Sequence, residues 1–414
     1  MQFWLRRPSP HLVAFLAFFV WYLLLVHDVR NWSHRDPSSA FFDPERAFER
    51  KYSLEREAEA ESYVARLDGS YSQQSVVKGS AESSFCIGVP TIQRDGARYF
   101  RRTLGSVLAG LTPAERKDIY LVSLIANSDP TMHVAFGEHW LSLAADEVLT
   151  YPNASEGVLE RVKSLETFDP KFDRKPLFDY TYLLRHCYNH GAPWIVMLED
   201  DVIGAEGWYY RTKQALGTLE GLRPFNSTLY LRLFYNERIL GWNSEEWPTY
   251  FMRVLMAEAI VFAAIMLGLF FIPNATAIFD PTTVFTLLFV VTPMFIVLYF
   301  AAGRRTVSPL AYGLNRMDAY GCCSQAFVFP RQQLPELMAY YESAGSGKMD
   351  QLTEKYADEH SLARWALTPS VFAHVGSTSS KQTSVSRWGR SNTENIWNFA
   401  FETFDREKLK DEHM

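Results

Sequence analysis

The sequence predicts an α/β fold, a mostly parallel sheet with flanking helices, interrupted by a transmembrane helical hairpin and preceded by an N-terminal transmembrane anchor. Three observations carry this. Strand-like apolar runs alternate with helical segments, as in parallel α/β sheets. One run, Trp194-Ile195-Val196-Met197-Leu198, passes directly into three carboxylates, Glu199-Asp200-Asp201. Two stretches, 254–271 and 284–302, are each long enough to cross a bilayer, and the soluble pattern resumes after them.

Taken in order, Arg6 and Arg7 precede an uncharged apolar run from Leu12 to Val26, followed by His27-Asp28-Val29-Arg30 rather than a small-residue cleavage site. This reads as an uncleaved anchor over residues 1–30, with its basic end cytosolic. Residues 31–84 read as a stem. Its charge-rich helix, 48–67, presents Glu55, Glu57, Glu59 and Glu61 with Arg50, Lys51, Arg56 and Arg66 as a solvated face. A catalytic domain is expected over 85–252 and 304–404, split by a hairpin at 253–303, and the acidic tail 405–414 reads as disordered.

Within that domain Phe85-Cys86-Ile87-Gly88-Val89-Pro90-Thr91 reads as a strand, 98–109 as a helix and 118–126 as a second strand. A helix over 178–189 leads into the acidic strand, and 229–235 is a further strand. In the hairpin, Ala257, Ala259, Ala263, Ala264 and Gly268 predict close packing against the second span. Arg253, Arg304 and Arg305 flank its outer ends, against the positive-inside rule if the globular parts are lumenal. Trp242 and Trp247, just before the hairpin, suit sugar stacking or anchoring at the membrane interface. After it, 321–330 is a strand, 331–343 and 350–356 are helical, and 370–375 is a last strand-like piece.

A net charge of −6 gives no support for a nucleic-acid partner. Cys86, Cys187, Cys322 and Cys323 have neither zinc-site spacing nor the density of a disulfide framework; which of them pair is open, with the adjacent pair the place to look for a single disulfide. Sequons at Asn31, Asn153, Asn226 and Asn274 suit a secretory topology.

In open α/β sheets, ligands bind beyond the carboxyl ends of the strands. Three acids placed there repel one another, and a hard cation, Mg²⁺ or Mn²⁺, relieves that repulsion while sharing its shell with a substrate diphosphate. Pro90, Thr91 and Arg94 at the end of the first strand are positioned to line a nucleotide pocket. Asp179, with Lys175 nearby, is a second donor-site candidate, the alternative being a helix cap.

The ordered set Ile87-Gly88-Val89-Pro90-Thr91, Phe178-Asp179-Tyr180 through Leu184, Leu198-Glu199-Asp200-Asp201-Val202, and His374-Val375-Gly376 with Ser379-Ser380 resembles the GT-A glycosyltransferases of the N-acetylglucosaminyltransferase IV group. The inserted hairpin narrows the resemblance to the Golgi N-acetylgalactosamine transferases of glycosylphosphatidylinositol (GPI) glycans. That resemblance implies a multi-pass Golgi enzyme with a lumenal GT-A domain. It implies transfer with inversion from UDP-N-acetylgalactosamine to the mannose core of a GPI-anchored protein, supported by Mn²⁺ or Mg²⁺. It implies Asp201 as metal ligand, with His374 as a second. Glu199 and Asp200 would contact donor sugar, ribose or metal waters. Asp350 matches the position of a proposed base, with Glu354 one helical turn later in reserve; an ordinary reading of Asp350 is a helix cap.

A lipid-linked acceptor explains three spans, because anchoring confines enzyme and acceptor to one surface. Two other readings compete. One is N-acetylglucosaminyl or galactosyl transfer to N-glycans or glycolipids. The other is an inactive GPI-binding scaffold, against which the intact carboxylates argue.

Overall fold

A computed structural model describes residues 10–69, 76–94, 98–222, 227–317, 321–377 and 392–413. The chain forms two compact units, residues 1–49 with 238–309, and residues 50–237 with 310–414. The strands of the second unit are β1 (Phe85–Thr91), β2 (Ile119–Ile125), β3 (Glu147–Thr150), β4 (Trp194–Leu198), β5 (Val202–Gly204), β6 (Thr228–Arg232), β7 (Gly313–Arg316), β8 (Ala326–Pro330), β9 (Ala363–Thr368) and β10 (Phe372–His374). Among the described residues, eight of them form one sheet in the order β3-β2-β1-β4-β8-β6-β9-β7.

The half from β3 to β4 is wholly parallel, so the carboxyl ends of β1, β2 and β4 share one edge. β8 then enters antiparallel to β4 and β6, β9 pairs parallel with β6, and β7 closes the sheet antiparallel. All five β4 residues are buried, as expected of a strand with neighbours on both edges and layers on both faces. The helix Lys175–His190 lies on β1, and Cys187 is disulfide-bonded to Cys86, 101 residues away. Cys322 is bonded to Cys323. The bridge at the adjacent pair stands where the sequence pointed, and a second, which the sequence left open, forms because the fold brings Cys86 and Cys187 to a Cα separation of 5.5 Å.

β5 and β10 form a separate antiparallel ribbon with Val202 opposite His374. β3, β5, β7 and β9 had no clear signal in the sequence, being short or embedded in charged segments, and the helices Glu156–Thr167 and Trp208–Gly221 were equally unmarked.

Two expectations are overturned by packing. The helix Tyr52–Gly69 is not a solvated spacer, since Tyr52, Arg56, Ala60, Val64 and Leu67 are buried along one face. Gly105 permits this, because a Cβ there would lie 2.5 Å from the Ala60 carbonyl oxygen. Arg56 is 1% exposed and is held by Glu206 at 2.9 Å and by the carbonyls of Gly204, Ser106 and Ala109. The tail is likewise ordered as a helix, Arg406–His413, with Leu409 buried and His413 Nε2 3.0 Å from Glu206 Oε1.

The first unit holds three helices long and apolar enough to cross a membrane among the described residues, Val13–Ser33, Ser244–Phe271 and Pro281–Ala302. Arg6 and Arg7 lie outside the described residues. The first helix meets the third through Tyr22, whose hydroxyl donates to the Met294 carbonyl at 2.9 Å, and through Phe18 and Trp21 against Phe295. The small-residue expectation holds only in part. Ala259, Ala263 and Ala264 face outward, Ile265 is the buried contact, and Gly268 abuts Phe279 of the connecting loop. The awkward arginines cap the bundle, Arg304 against Glu246 at 3.1 Å and Arg253 against the Tyr299 hydroxyl at 3.1 Å. Trp242 donates to the Phe300 carbonyl at 3.0 Å and packs within the bundle, whereas Trp247 is exposed.

Candidate active site

β4 delivers the acids to the sheet's carboxyl edge. The Glu199 N–H donates to the Gln325 carbonyl at 2.9 Å, and its carboxylate accepts from the Ser324 hydroxyl. Asp200 is locked twice. Thr103 donates to its carbonyl at 2.8 Å, and Thr91, at the end of β1, donates to its Oδ2 at 2.7 Å. Pro90 precedes Thr91 in the same strand.

Behind Thr91 stands His133, which the sequence reading missed. Its Nδ1 accepts the Ala135 N–H at 3.2 Å, which leaves the proton on Nε2, 3.1 Å from the Thr91 hydroxyl. A directed chain therefore runs His133 to Thr91 to Asp200. Burial holds the His133 imidazole below its usual pKa, consistent with the neutral form. No local motif marks His133, because its partner lies 42 residues earlier.

Asp201 is reached from the other side. The Val375 N–H donates to its carbonyl at 2.9 Å, and the β5–β10 ribbon places His374 Nε2 3.5 Å from its Oδ2. The same Oδ2 accepts from Arg94 at 2.8 Å, while the other end of that guanidinium pairs with Asp200. Oδ1 of Asp201 and Nδ1 of His374 are buried without a hydrogen-bond partner. Gly376 closes the space, since a Cβ there would lie 2.3 Å from Asp201 Oδ2 and 3.0 Å from His374 Nε2.

The electrostatics divide the triplet. Burial, reinforced by the neighbouring Asp201 charge, pushes Glu199 up to about 7. Burial raises Asp200 to about 6, with Arg94 opposing and Asp201 adding to the rise. Burial acts on Asp201 too, but His374 and Arg94 outweigh it and hold this carboxyl well below the usual range. An ionised Asp201 beside the His374 imidazole, with Oδ2 and Nε2 3.5 Å apart, offers the mixed O and N donors that suit a divalent cation.

Lys175 and Asp179 pair on one helix at 2.8 Å, and Asp179 also accepts from the Tyr151 hydroxyl at 2.6 Å. Lys175 additionally donates to the Ala126 carbonyl beyond β2. Both are buried, so this pair ties the helix to the sheet edge rather than presenting free groups. Tyr180 is core, at 3% exposure.

Asp350 stands in the first turn of the helix Met349–Glu359, half-exposed, its Oδ1 accepting the Gln351 N–H at 2.9 Å. The capping position belongs to Lys348, so the cap explanation of Asp350 does not hold. Its carboxylate lies within 4.8 Å of both sulfurs of the Cys322–Cys323 bridge. Glu354 is engaged throughout: Arg232 donates at 2.6 Å, Tyr230 donates to the same oxygen, and Arg364 pairs with the other at 2.9 Å. Ser379 and Ser380 lie outside the described residues.

A cleft beside the acids is lined by Thr91, Gln93, Arg94, Tyr99, His133 and Asp200. Comparison with known proteins supplies its class. A segment of the chain is 28% identical over 144 residues to α-1,3-mannosyl-glycoprotein 4-β-N-acetylglucosaminyltransferase B of mouse, covering 31% of this chain and 25% of that protein. The human enzyme of the same name matches equally. The mouse N-acetylglucosaminyltransferase-like protein MGAT4D is 26% identical over 157 residues, 34% of this chain and 40% of its own length. These matches thus span between a quarter and two-fifths of the relatives, and they set the chain among glycosyltransferases. Residues 85–373, well over half the chain, match the family model of GPI-N-acetylgalactosamine transferase PGAP4, and the chain belongs to that family.

Proposed function

We propose that this protein is a metal-dependent inverting glycosyltransferase of GT-A type. It transfers N-acetylgalactosamine from UDP-N-acetylgalactosamine to the mannose core of GPI anchors on proteins, at the Golgi membrane with the α/β unit lumenal. The observation that carries this reading is the convergence of Asp201 and His374 beside a cleft lined by Thr91, Arg94 and Asp200, in a chain of the GPI-N-acetylgalactosamine transferase family.

In this reading Asp201 and His374 hold Mn²⁺ or Mg²⁺, which supplies positive charge against the departing diphosphate. Thr91 fixes the Asp200 carboxylate, and Asp200 and Glu199 face the donor sugar and ribose. Asp350 takes the acceptor hydroxyl's proton as that oxygen attacks the anomeric carbon opposite UDP, which inverts the configuration. The full engagement of Glu354 by two arginines and a tyrosine favours Asp350 as the base. Three apolar helices suit an acceptor carried on a lipid. Confinement to one surface raises the encounter rate and limits the orientations sampled.

The activities named for the relatives favour a second reading, N-acetylglucosaminyl transfer to mannose of N-glycans. Purified full-length protein with Mn²⁺ and each of UDP-N-acetylgalactosamine, UDP-N-acetylglucosamine and UDP-galactose separates the two. A GPI-anchored protein and a mannosylated N-glycan are the acceptors. Transfer of N-acetylgalactosamine to the GPI protein, lost in Asp201→Ala, is the expected result. Transfer only of N-acetylglucosamine to the N-glycan would replace it, and absence of both transfer and UDP-sugar hydrolysis would leave a GPI-binding scaffold.

A further inference from the structure

The site carries a cation of its own. Arg94 spans two acids with one guanidinium, Nη1 to Asp201 Oδ2 at 2.8 Å and Nη2 to Asp200 Oδ1. All three side chains are largely buried, at 12%, 9% and 7% exposure. The Asp201 oxygen that it occupies is the one facing His374 Nε2. We infer that Arg94 is the resting counter-cation of Asp200 and Asp201, that a divalent cation must displace it, and that the released guanidinium then serves the donor's diphosphate. This rests on the metal-dependent reading above.

Two cations cannot share one buried carboxylate oxygen without strong repulsion, because like charges a few ångströms apart are poorly screened at a reduced dielectric. The guanidinium fork matches phosphate as well as carboxylate, so it has a second natural partner. That partner has a place to sit. The cleft next to Arg94 is also lined by Arg98, which offers donors to an anion, and by Arg101, whose Nε and Nη1 are held by Glu61 and Asp68. Arg94 follows β1 outside the strand ladder, and its Nε is buried without a hydrogen-bond partner, so the acids alone leave its donor set incomplete.

The consequence is a coupling between metal and nucleotide. Metal alone must break both ion pairs, whereas metal with a diphosphate gives Arg94 a new partner. By linkage each then tightens the other.

The test is Mn²⁺ affinity of the full-length protein in detergent, read by electron paramagnetic resonance of free Mn²⁺, with and without UDP. Wild type binds Mn²⁺ weakly alone and more tightly with UDP. Arg94→Gln binds Mn²⁺ alone about tenfold or more tighter than wild type, within the usual range of such couplings, and UDP then adds less. Arg94→Lys falls between, because one ammonium cannot span both acids, and it carries the test if Arg94→Gln does not fold. Unchanged or weaker Mn²⁺ binding by the folded variants overturns the inference alone. No Mn²⁺ binding by wild type, with or without UDP, overturns the metal-dependent reading and the inference together.

Discussion

Arg232 donates to Glu354 at 2.6 Å from a side chain with no exposure, so the reserve candidate for catalytic base is instead one half of a buried ion pair. Removing one partner of such a pair leaves the other charge uncompensated, at a cost of about 3–5 kcal/mol. Glu354→Ala is therefore expected to lower the unfolding midpoint strongly. Asp350→Asn, at a half-exposed position, is expected to leave it nearly unchanged while reducing kcat by about 10²–10⁴-fold. Chemical denaturation alongside steady-state transfer assays separates the two, and the reversed pattern would exchange their roles.

Gly376 has no room for a methyl group. Alanine there would press within 2.3 Å of Asp201 Oδ2 and 3.0 Å of His374 Nε2. Gly376→Ala is expected to weaken Mn²⁺ binding about tenfold or more, as disturbance around metal ligands commonly does. Titration of Mn²⁺ in the presence of UDP checks it; affinity equal to wild type would remove Asp201 and His374 as the ligand pair.

The Cys86–Cys187 bridge closes a loop with 101 residues of separation between β1 and the helix behind it. Loss of such a bridge costs about 2–5 kcal/mol. The double variant Cys86→Ala/Cys187→Ala is expected to unfold at lower denaturant concentration, with donor specificity unchanged. A midpoint equal to wild type would mean that the bridge contributes nothing to stability.

Stabilisation by Mn²⁺ should depend on pH. Glu199 and Asp200 have pKa values raised to about 7 and about 6, so both are largely protonated near pH 5.5 and ionised above 7. His374, raised through its contact with Asp201, also loses its proton as pH rises. In metal-free protein the raised carboxyls favour folding at low pH, and that contribution is lost as pH climbs through 6 to 7. A divalent cation binds the deprotonated groups, so the Mn²⁺-induced rise in Tm is expected to be larger at pH 7.5 than at pH 5.5. A rise that is equal or larger at pH 5.5 would contradict the assignment.

The linear sequence determined the strand that carries the acids, the strands at 85–91 and 118–126, the helix that leads into the acids and the three apolar spans. Each is a continuous run whose period or length is set by local geometry, so no distant residue is needed to read it. The acidic triplet was legible for the same reason. What the tertiary structure decided are relationships over long separations. The pairing of Val202 with His374 brings the histidine to Asp201, and the parallel alignment of β1 with β4 brings Thr91 and Arg94 to the acids. His133 joins the site through Thr91 alone. Glu354 changed from candidate base to buried partner because Arg232 and Arg364 come from other strands. The helix Tyr52–Gly69 looked solvated because its sequence is charged, yet a buried charge such as Arg56 is tolerated wherever the fold supplies carboxylate and carbonyl partners. Burial and pairing are properties of the assembled chain, and the sequence shows only which groups require them.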